Sequence, residues 1–165
     1  QFLNRAFVEL AGVFEEETVL GRGSFGKVVR VRVVGTEKRF AVKVVVEEED
    51  SNFAEMSRLE VDHLEKLRHP NIVMLFLSWF KAGATLLVLE LAEGTWAQAG
   101  AEMRRSGASR EEMVLKARRM ARDLADGVSY VHERRIAHCD LNSKNVLVAN
   151  GVAKVADFGL AKVVK

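Results

Sequence analysis

The sequence predicts an α+β fold in two parts, a strand-rich front half followed by a helix-rich remainder. The 165 residues are 48% hydrophobic and 29% charged, which is typical of a soluble globular protein. Valine-rich runs separated by glycine-containing turns fill the front half. After Leu91 the pattern changes to amphipathic segments that open with helix-capping motifs.

The front half is predicted to contain five strands and one helix. A helix over about 51–68 follows the acidic run 47–50, which suits a helix N-terminus. The strands are predicted at residues 14–20, 27–34, 39–46, 72–80 and 84–91.

This helix carries a carboxylate inside its apolar stripe. Glu60 lies on the face that contains Met56, Leu64 and other apolar residues at helical spacing. Burying a carboxylate is costly unless a cation pairs with it, and Lys43 in the apolar strand 40–46 is the candidate partner. The alternative is that Glu60 lies at the edge of the helix, in solvent.

The remainder of the chain is predicted to begin with two capped helices. Thr95 with Gln98, and Ser109 with Glu112, have the spacing of capping boxes. The second helix has an apolar stripe, which we expect to be exposed. Its arginines are interleaved with acidic residues, which favours a solvated face over a nucleic-acid surface. A loop at 136–145, strands at 146–149 and 152–156 and an Asn-Gly turn between these strands complete the pattern.

Charge, hydropathy and cysteine content limit the function classes. A net charge of +2 gives little electrostatic support for nucleic-acid or membrane binding. The longest apolar run, near residues 86–89, is too short to span a bilayer, and residues 1–13 lack the features of a signal peptide. The single cysteine, Cys139, fits a reducing compartment. We therefore expect a cytoplasmic protein with no nucleic-acid partner and no membrane insertion.

Five short motifs follow one another along the chain. They are GRGSFGKV at 21–28, AVK ending at Lys43, HPN at 69–71, HCDLNSKN at 138–145 and DFG at 157–159. Singly each motif is weak, but together they provide a phosphate-covering loop, a lysine, a candidate base and two metal ligands. The set predicts a phosphoryl-transfer site for Mg·ATP.

The glycine-rich loop can cover phosphates because Gly21, Gly23 and Gly26 let backbone N–H groups approach closely. The alternative is a plain glycine-rich hairpin. The loop lies between two predicted strands rather than between a strand and a helix, which argues against a dinucleotide fold or a Walker-type loop.

The other motif residues have complementary chemistry. Lys43 would bridge the α- and β-phosphates while Glu60 holds its ammonium. Asp140 would accept or orient the proton of an attacking hydroxyl. Asn145 and Asp157 would bind Mg²⁺ through an amide oxygen and a carboxylate, because this hard cation prefers oxygen ligands.

The motif set resembles that of eukaryotic protein kinases, over residues 20–162. The resemblance implies a two-lobe fold: a complete small lobe at 1–89, with an N-terminal extension at 1–13, a hinge at 90–94, and at 95–165 the first part of a helical large lobe. It implies a kinase that uses ATP and Mg²⁺ to phosphorylate a protein substrate, on Ser/Thr more than Tyr, together with flanking domains or partner proteins. The segment DLNSKN is similar to that of the tyrosine-kinase-like branch.

The resemblance also implies residue roles. His138 would hold the loop backbone, and Leu89 matches the gatekeeper position beside the adenine. The implied catalytic residues are Lys43, Glu60, Asp140, Lys144 and Asn145. The implied nucleotide-binding residues are Leu20, Gly21, Gly23, Ser24, Phe25, Gly26, Val28, Ala41, Lys43, Leu89, Glu90, Ala92, Leu147 and Asp157, with Asn145 and Asp157 as the metal ligands.

The chain departs from the kinase pattern in three ways. Cys139 replaces the arginine that usually receives an activation-loop phosphate, so loop phosphorylation is not expected to switch this protein in the usual way. Asn142 replaces a lysine common in serine/threonine kinases, and Lys144 would reach the γ-phosphate instead. No activation segment follows Lys165, so we expect an incomplete, inactive fragment. The alternative function is a pseudokinase-like module that binds nucleotide or partners; a small-molecule kinase is disfavoured by the full motif set.

Overall fold

The computed structural model describes residues 12–23, 26–46, 53–81 and 83–164, in two compact units. The first unit contains the described residues up to Glu65 together with Leu75–Leu91. The second contains Lys66–Met74 and the described residues from Ala92 onward. Ser24 and Phe25 of the glycine loop, the acidic run 47–50 and nearly all of the predicted N-terminal extension lie outside the described residues.

The first unit is built on a five-stranded antiparallel sheet with the order β1-β2-β3-β5-β4. Its strands are β1 (Phe14–Gly23), β2 (Gly26–Val33), β3 (Arg39–Val46), β4 (Leu75–Lys81) and β5 (Ala84–Leu89). All five strands were predicted, but β4 begins three residues later than expected. Residues 71–73 instead pair with Val155 of the second unit, where Val73 N–H donates to Val155 O at 2.9 Å.

The two faces of this sheet carry different residues because side chains alternate along each strand. One face forms the core cluster of Val29, Val31, Val42, Val44, Ala84, Leu86 and Val88, all at most 2% exposed. The opposite face contains the paired residues Val28 and Lys43, and the paired residues Ala41 and Leu89. Four predicted site residues therefore share one face of the sheet.

Helix α1 (Phe53–Lys66) packs on this second face. Ser57 Oγ donates a hydrogen bond to Thr85 Oγ1 at 3.1 Å, and both residues are buried. Ser78 Oγ of β4 donates to Glu65 Oε1 at 3.3 Å. These bonds attach the helix to two strands, which fixes the positions of its inward-facing residues.

The second unit contains helices α2 (Trp96–Arg105) and α3 (Arg110–Glu133). Both predicted capping boxes are present. Thr95 Oγ1 accepts from Gln98 N–H at 3.2 Å, and Ser109 Oγ accepts from Glu112 N–H at 3.2 Å. Hydrogen bonds from the Ser109 backbone and hydroxyl lower the pKa of the Glu112 carboxyl below its ordinary value.

Five short strands complete the second unit. They are β6 (Gly94–Thr95), β7 (Ile136–Ala137), β8 (Val146–Ala149), β9 (Val152–Val155) and β10 (Lys162–Val163). They form a three-stranded sheet of order β6-β8-β9 and a β7-β10 pair. The predicted Asn150-Gly151 turn joins β8 to β9, with positive φ at both residues as a type I′ turn requires. Because β6, β7 and β10 contain two residues each, they have no periodic pattern, and they were not predicted.

The stripe on α3 is less exposed than expected. Met120 is 3% exposed and packs against Val146, Val148 and Ala153 of the small sheet, and Val131 is 2% exposed. The expectation of a fully uncovered stripe is therefore wrong, because β8 and β9 of the same unit cover part of it. No helix among the described residues is long and apolar enough to cross a membrane.

The HPN segment is anchored to α3. Tyr130 Oη accepts a hydrogen bond from Arg68 N–H at 3.0 Å, and its ring lies 4.7 Å from the His69 ring. Asn71 lies so close to Gly127 that an ideal Cβ there would be 2.7 Å from the Asn71 carbonyl oxygen. This anchoring places residues 66–74 in the second unit.

Candidate active site

The first unit contains a buried ion pair. Lys43 Nζ lies 2.6 Å from Glu60 Oε2, and the two side chains are 17% and 3% exposed. A buried carboxylate without a cation would cost several kcal/mol, on the order of 3–5, so the pair accounts for the otherwise unfavourable position of Glu60. The sequence left open whether Glu60 is buried against a cation or lies in solvent at the edge of the helix, and the structure shows it buried and paired with Lys43. The Lys43 ammonium is thereby fixed on the sheet face that contains Val28 and Ala41.

The glycine loop contains glycines in two different environments. Gly26 has φ +145°, and an ideal Cβ there would overlap the Val44 carbonyl oxygen and lie 2.9 Å from its carbon. The chain itself therefore requires glycine at this position. Among the described residues, no atom lies within 4 Å of an ideal Cβ at Gly21. The described part of the fold therefore does not require a glycine at this position.

The remaining first-unit site residues lie around this loop. Leu20 is 45% exposed at an irregularity in the β1–β2 pairing, between the paired positions of Val19 and Gly21. Gly23 pairs with Gly26 at the end of the hairpin. Leu89 ends β5 and is 9% exposed, and Glu90 follows it, half-buried.

In the second unit, His138 supports the loop that contains Asp140. The His138 ring is buried; its Nδ1 accepts a hydrogen bond from Asp140 N–H at 3.3 Å, so the ring proton is on Nε2. That Nε2–H donates to Ala156 O at 2.9 Å, and the ring lies 4.8 Å from the fully buried Phe158 ring. His138 thus holds the loop to the DFG segment, in agreement with its predicted structural role.

Asp140 is held by two side-chain amides. Asn145 Nδ2 donates to Asp140 Oδ2 at 2.7 Å and to its carbonyl oxygen at 2.9 Å. Asn142 Nδ2 donates to Asp140 Oδ1 at 3.2 Å and to the same carbonyl oxygen at 3.1 Å. Each carboxylate oxygen therefore accepts from a different amide. Sequence reasoning found Asn145 but missed the bonds of Asn142, because its motif position suggested only a missing lysine.

The predicted metal ligands are neighbours in the second unit. Ala156 N–H donates to Asn145 O at 2.9 Å, which places Asn145 beside the residue before Asp157. Since the Asn145 amide nitrogen donates to Asp140, its Oδ1 points away from the Asp140 carboxylate. One carboxylate and one amide oxygen fit Mg²⁺, which usually takes its other ligands from phosphates and water. Among the described residues, no group of three His, Cys, Asp or Glu side chains could hold a metal by itself.

Two site residues have left-handed backbone conformations. Cys139 and Asp157 both have φ 63°. This conformation costs a non-glycine residue about 1–3 kcal/mol and persists only where the surroundings enforce it, most often at functional sites. Neither residue type requires this conformation, so the strain could not be predicted from the sequence.

Three other predicted site residues lie in the second unit. Lys144 is exposed, and its backbone N–H donates to Asn142 Oδ1 at 2.9 Å. Leu147 is half-buried on β8, opposite Thr95 of β6. Ala92 is half-buried at the start of this unit. Their roles in binding stay predictions.

The sequence of residues 14–165 matches the protein kinase domain family. The match covers most of the chain, so the chain belongs to the protein kinase domain family. The predicted family and fold class are confirmed: the antiparallel sheet with one helix is a kinase small lobe, and the second unit is part of a large lobe.

Several serine/threonine kinases are similar to this chain. Serine/threonine-protein kinase AtPK1/AtPK6 of Arabidopsis thaliana is 35% identical over 163 residues, covering 94% of this chain and 34% of the relative. Human calcium/calmodulin-dependent protein kinase type IV is 35% identical over 167 residues, covering 94% and 32%. CBL-interacting protein kinase 17 of Oryza sativa subsp. japonica is 35% identical over 155 residues, covering 92% and 33%. The chain thus spans about a third of the length of these relatives.

Proposed function

We propose that this protein transfers the γ-phosphoryl group of Mg·ATP to a serine or threonine hydroxyl of a protein substrate. The observation that supports this most is the arrangement in the second unit, where Asp140 is oriented by amides and Asn145 lies beside the DFG segment. The names of the similar kinases favour Ser/Thr over Tyr. Membership of the tyrosine-kinase-like branch, the lobe boundaries and the identity of partner proteins stay predictions.

In this proposal Asp140 acts on the attacking hydroxyl. It accepts the hydroxyl proton as the new oxygen–phosphorus bond forms and the bond to the β-phosphate oxygen breaks. Positioned proton transfer of this kind contributes about 10²–10⁴-fold to rate. Both carboxylate oxygens already accept hydrogen bonds, so the carboxylate is oriented before the substrate arrives.

The other groups neutralise and position phosphate charge. Lys43, oriented by Glu60, would bind the α- and β-phosphates, and exposed Lys144 would reach the γ-phosphate. Asn145 and Asp157 would hold Mg²⁺ with two oxygens. The bound ion would neutralise charge that develops on the phosphates. Open space at Gly21 would let the loop backbone approach them.

Nucleotide binding is tested by thermal denaturation with ATP, with and without Mg²⁺. Ligand at 100 times its Kd stabilises the folded state by about 2.7 kcal/mol. We expect Mg²⁺ to increase the stabilisation by ATP in the wild type and in Asp126→Ala, a matched control on the exposed face of α3. Asp157→Ala should lose this increase. An unchanged response of Asp157→Ala would show that the metal assignment is wrong.

Catalysis is tested with labelled ATP and a Ser/Thr peptide on a chain that continues beyond Lys165 through an activation segment, because the 165 residues alone are expected to be inactive. This longer chain is the wild type of the kinetic assays. Asp140→Asn should keep Mg·ATP binding and reduce transfer by at least about 10²-fold, because an amide cannot accept the proton. If the wild type binds Mg·ATP but transfers no phosphate, the protein is a nucleotide-binding module and the catalytic proposal fails.

A further inference from the structure

The side chain of Asn142 connects two site residues. Its amide nitrogen donates to Asp140 Oδ1 at 3.2 Å and to the Asp140 carbonyl oxygen at 3.1 Å. Its amide oxygen accepts from Lys144 N–H at 2.9 Å. The directions are consistent, because an oxygen that accepts from a backbone N–H leaves the nitrogen to face the carboxylate.

Two amides constrain a carboxylate more than one amide does. The terminal torsion of an aspartate is broad and roughly two-fold, and its two oxygens rotate together, so a hydrogen bond to each oxygen restrains this torsion more than a single bond does. Asn145 holds Oδ2 and Asn142 holds Oδ1, which together fix the carboxylate plane. Asp140 also follows Cys139, whose left-handed φ of 63° requires the loop to be held in place.

This connection requires a side chain that has both a donor and an acceptor. A lysine at position 142 has three donors and no acceptor, so it could approach Asp140 but could not accept from Lys144 N–H. An alanine could do neither. Asparagine replaces the lysine expected from the kinase resemblance with a neutral group that binds both neighbours.

We propose that Asn142 is a positioning residue that fixes the Asp140 carboxylate and attaches it to the Lys144 backbone. The inference rests on the proposed function, in which Asp140 is the base and Lys144 reaches the γ-phosphate. Asn142 thus sets the geometry between these two groups without touching ATP itself. Misplacement of a reacting group by about 1 Å can reduce rate by about 10²-fold, which sets the scale of the expected effect.

The test compares Asn142→Ala with Asn142→Asp and with Ser143→Ala, a neighbouring exposed loop residue as the control. Asn142→Ala should reduce kcat for peptide phosphorylation by about 10–100-fold and leave the KM for ATP within about two-fold. Asn142→Asp keeps the acceptor for Lys144 but places a second carboxylate against Asp140, so it should reduce kcat at least as much. Ser143→Ala should match the wild type. A parallel loss of ATP affinity in Asn142→Ala would indicate a general structural defect and overturn the proposal.

Hydrogen exchange decides the proposal without catalysis. Exchange of the Lys144 backbone amide, measured by NMR, should be faster in Asn142→Ala than in the wild type, and unchanged in Asn142→Asp, whose carboxylate still accepts the bond. Unchanged exchange in Asn142→Ala would overturn the proposal even if the wild type proved inactive. If the wild type transfers no phosphate but Lys144 exchange responds as expected, the proposed function fails while the attachment by Asn142 stands.

Discussion

Gly26→Ala and Gly21→Ala change two glycines of one loop that lie in opposite environments. At Gly26 a Cβ would overlap the Val44 carbonyl oxygen, and the φ of +145° is one that L-residues rarely adopt. At Gly21 no atom of the residues that the structure describes lies within 4 Å of an added Cβ. The same substitution should therefore affect folding at one position and only ligand binding at the other.

Two contributions set the expected loss in the free energy of unfolding for Gly26→Ala. Overpacking costs about 1–3 kcal/mol, and the glycine-only conformation costs about 1–3 kcal/mol. Gly26→Ala should then lower the free energy of unfolding by about 2–6 kcal/mol, a large part of the roughly 5–15 kcal/mol typical of a domain. Gly21→Ala should change it by no more than about 0.5 kcal/mol, because the site is open and exposed.

The assay is urea unfolding followed by the fluorescence of Trp79. This tryptophan packs against the core of the first unit, and Trp96→Phe removes the other tryptophan, which packs in the second unit. With an m-value of about 2 kcal/mol/M, the midpoint for Gly26→Ala should fall by roughly 1–3 M. A midpoint within about 0.3 M of the parent at unchanged m would refute the close approach to Val44.

Nucleotide titration completes the comparison. Gly21→Ala should retain the parent midpoint without ligand but gain less stabilisation from Mg·ATP, because a Cβ would occupy the space left for phosphate. Equal stabilisation of Gly21→Ala and the parent would show that this glycine does not contribute to phosphate binding.

Three further substitutions test the second unit. Gly127→Ala should lower the free energy of unfolding by about 1–3 kcal/mol despite the better helix propensity of alanine, because its Cβ would lie 2.7 Å from the Asn71 carbonyl oxygen. Gly100→Ala, where the added Cβ would make an ordinary contact at 3.7 Å, should raise the free energy of unfolding by up to about 1 kcal/mol. Equal changes in the thermal denaturation of the two glycine variants would contradict this expected difference. Ser109→Ala removes the hydroxyl that helps lower the pKa of the Glu112 carboxyl. A carboxyl whose pKa is lowered in the folded state stabilises that state at pH values above its ordinary pKa of 4.5, and this stabilisation is lost as the pH falls through the pKa of the folded state. The stability difference between wild type and Ser109→Ala should therefore be larger at pH 6 than at pH 3, and a difference independent of pH would contradict this assignment.

Local patterns in the sequence predicted much of the fold. Runs of apolar and β-branched residues predicted all five strands of the first sheet, and both capping boxes were found because their bonds join residues three apart. The two-residue strands were missed, since two residues cannot show a period. The start of β4 was misplaced because Val73 has the residue type of a strand but pairs with Val155, far along the chain.

The sequence by itself determined the inventory: a kinase motif set, its order, and the residue types that can bind phosphate, hold a cation and accept a proton. The tertiary structure decided which alternatives apply. It showed Glu60 buried against Lys43, distinguished Gly26 from Gly21, and showed Asn142 bonded to Asp140. The physical reason is that burial, close approach and hydrogen-bond partners are properties of residue pairs. Residue type and spacing specify what a side chain can do, whereas its neighbours in space specify what it does.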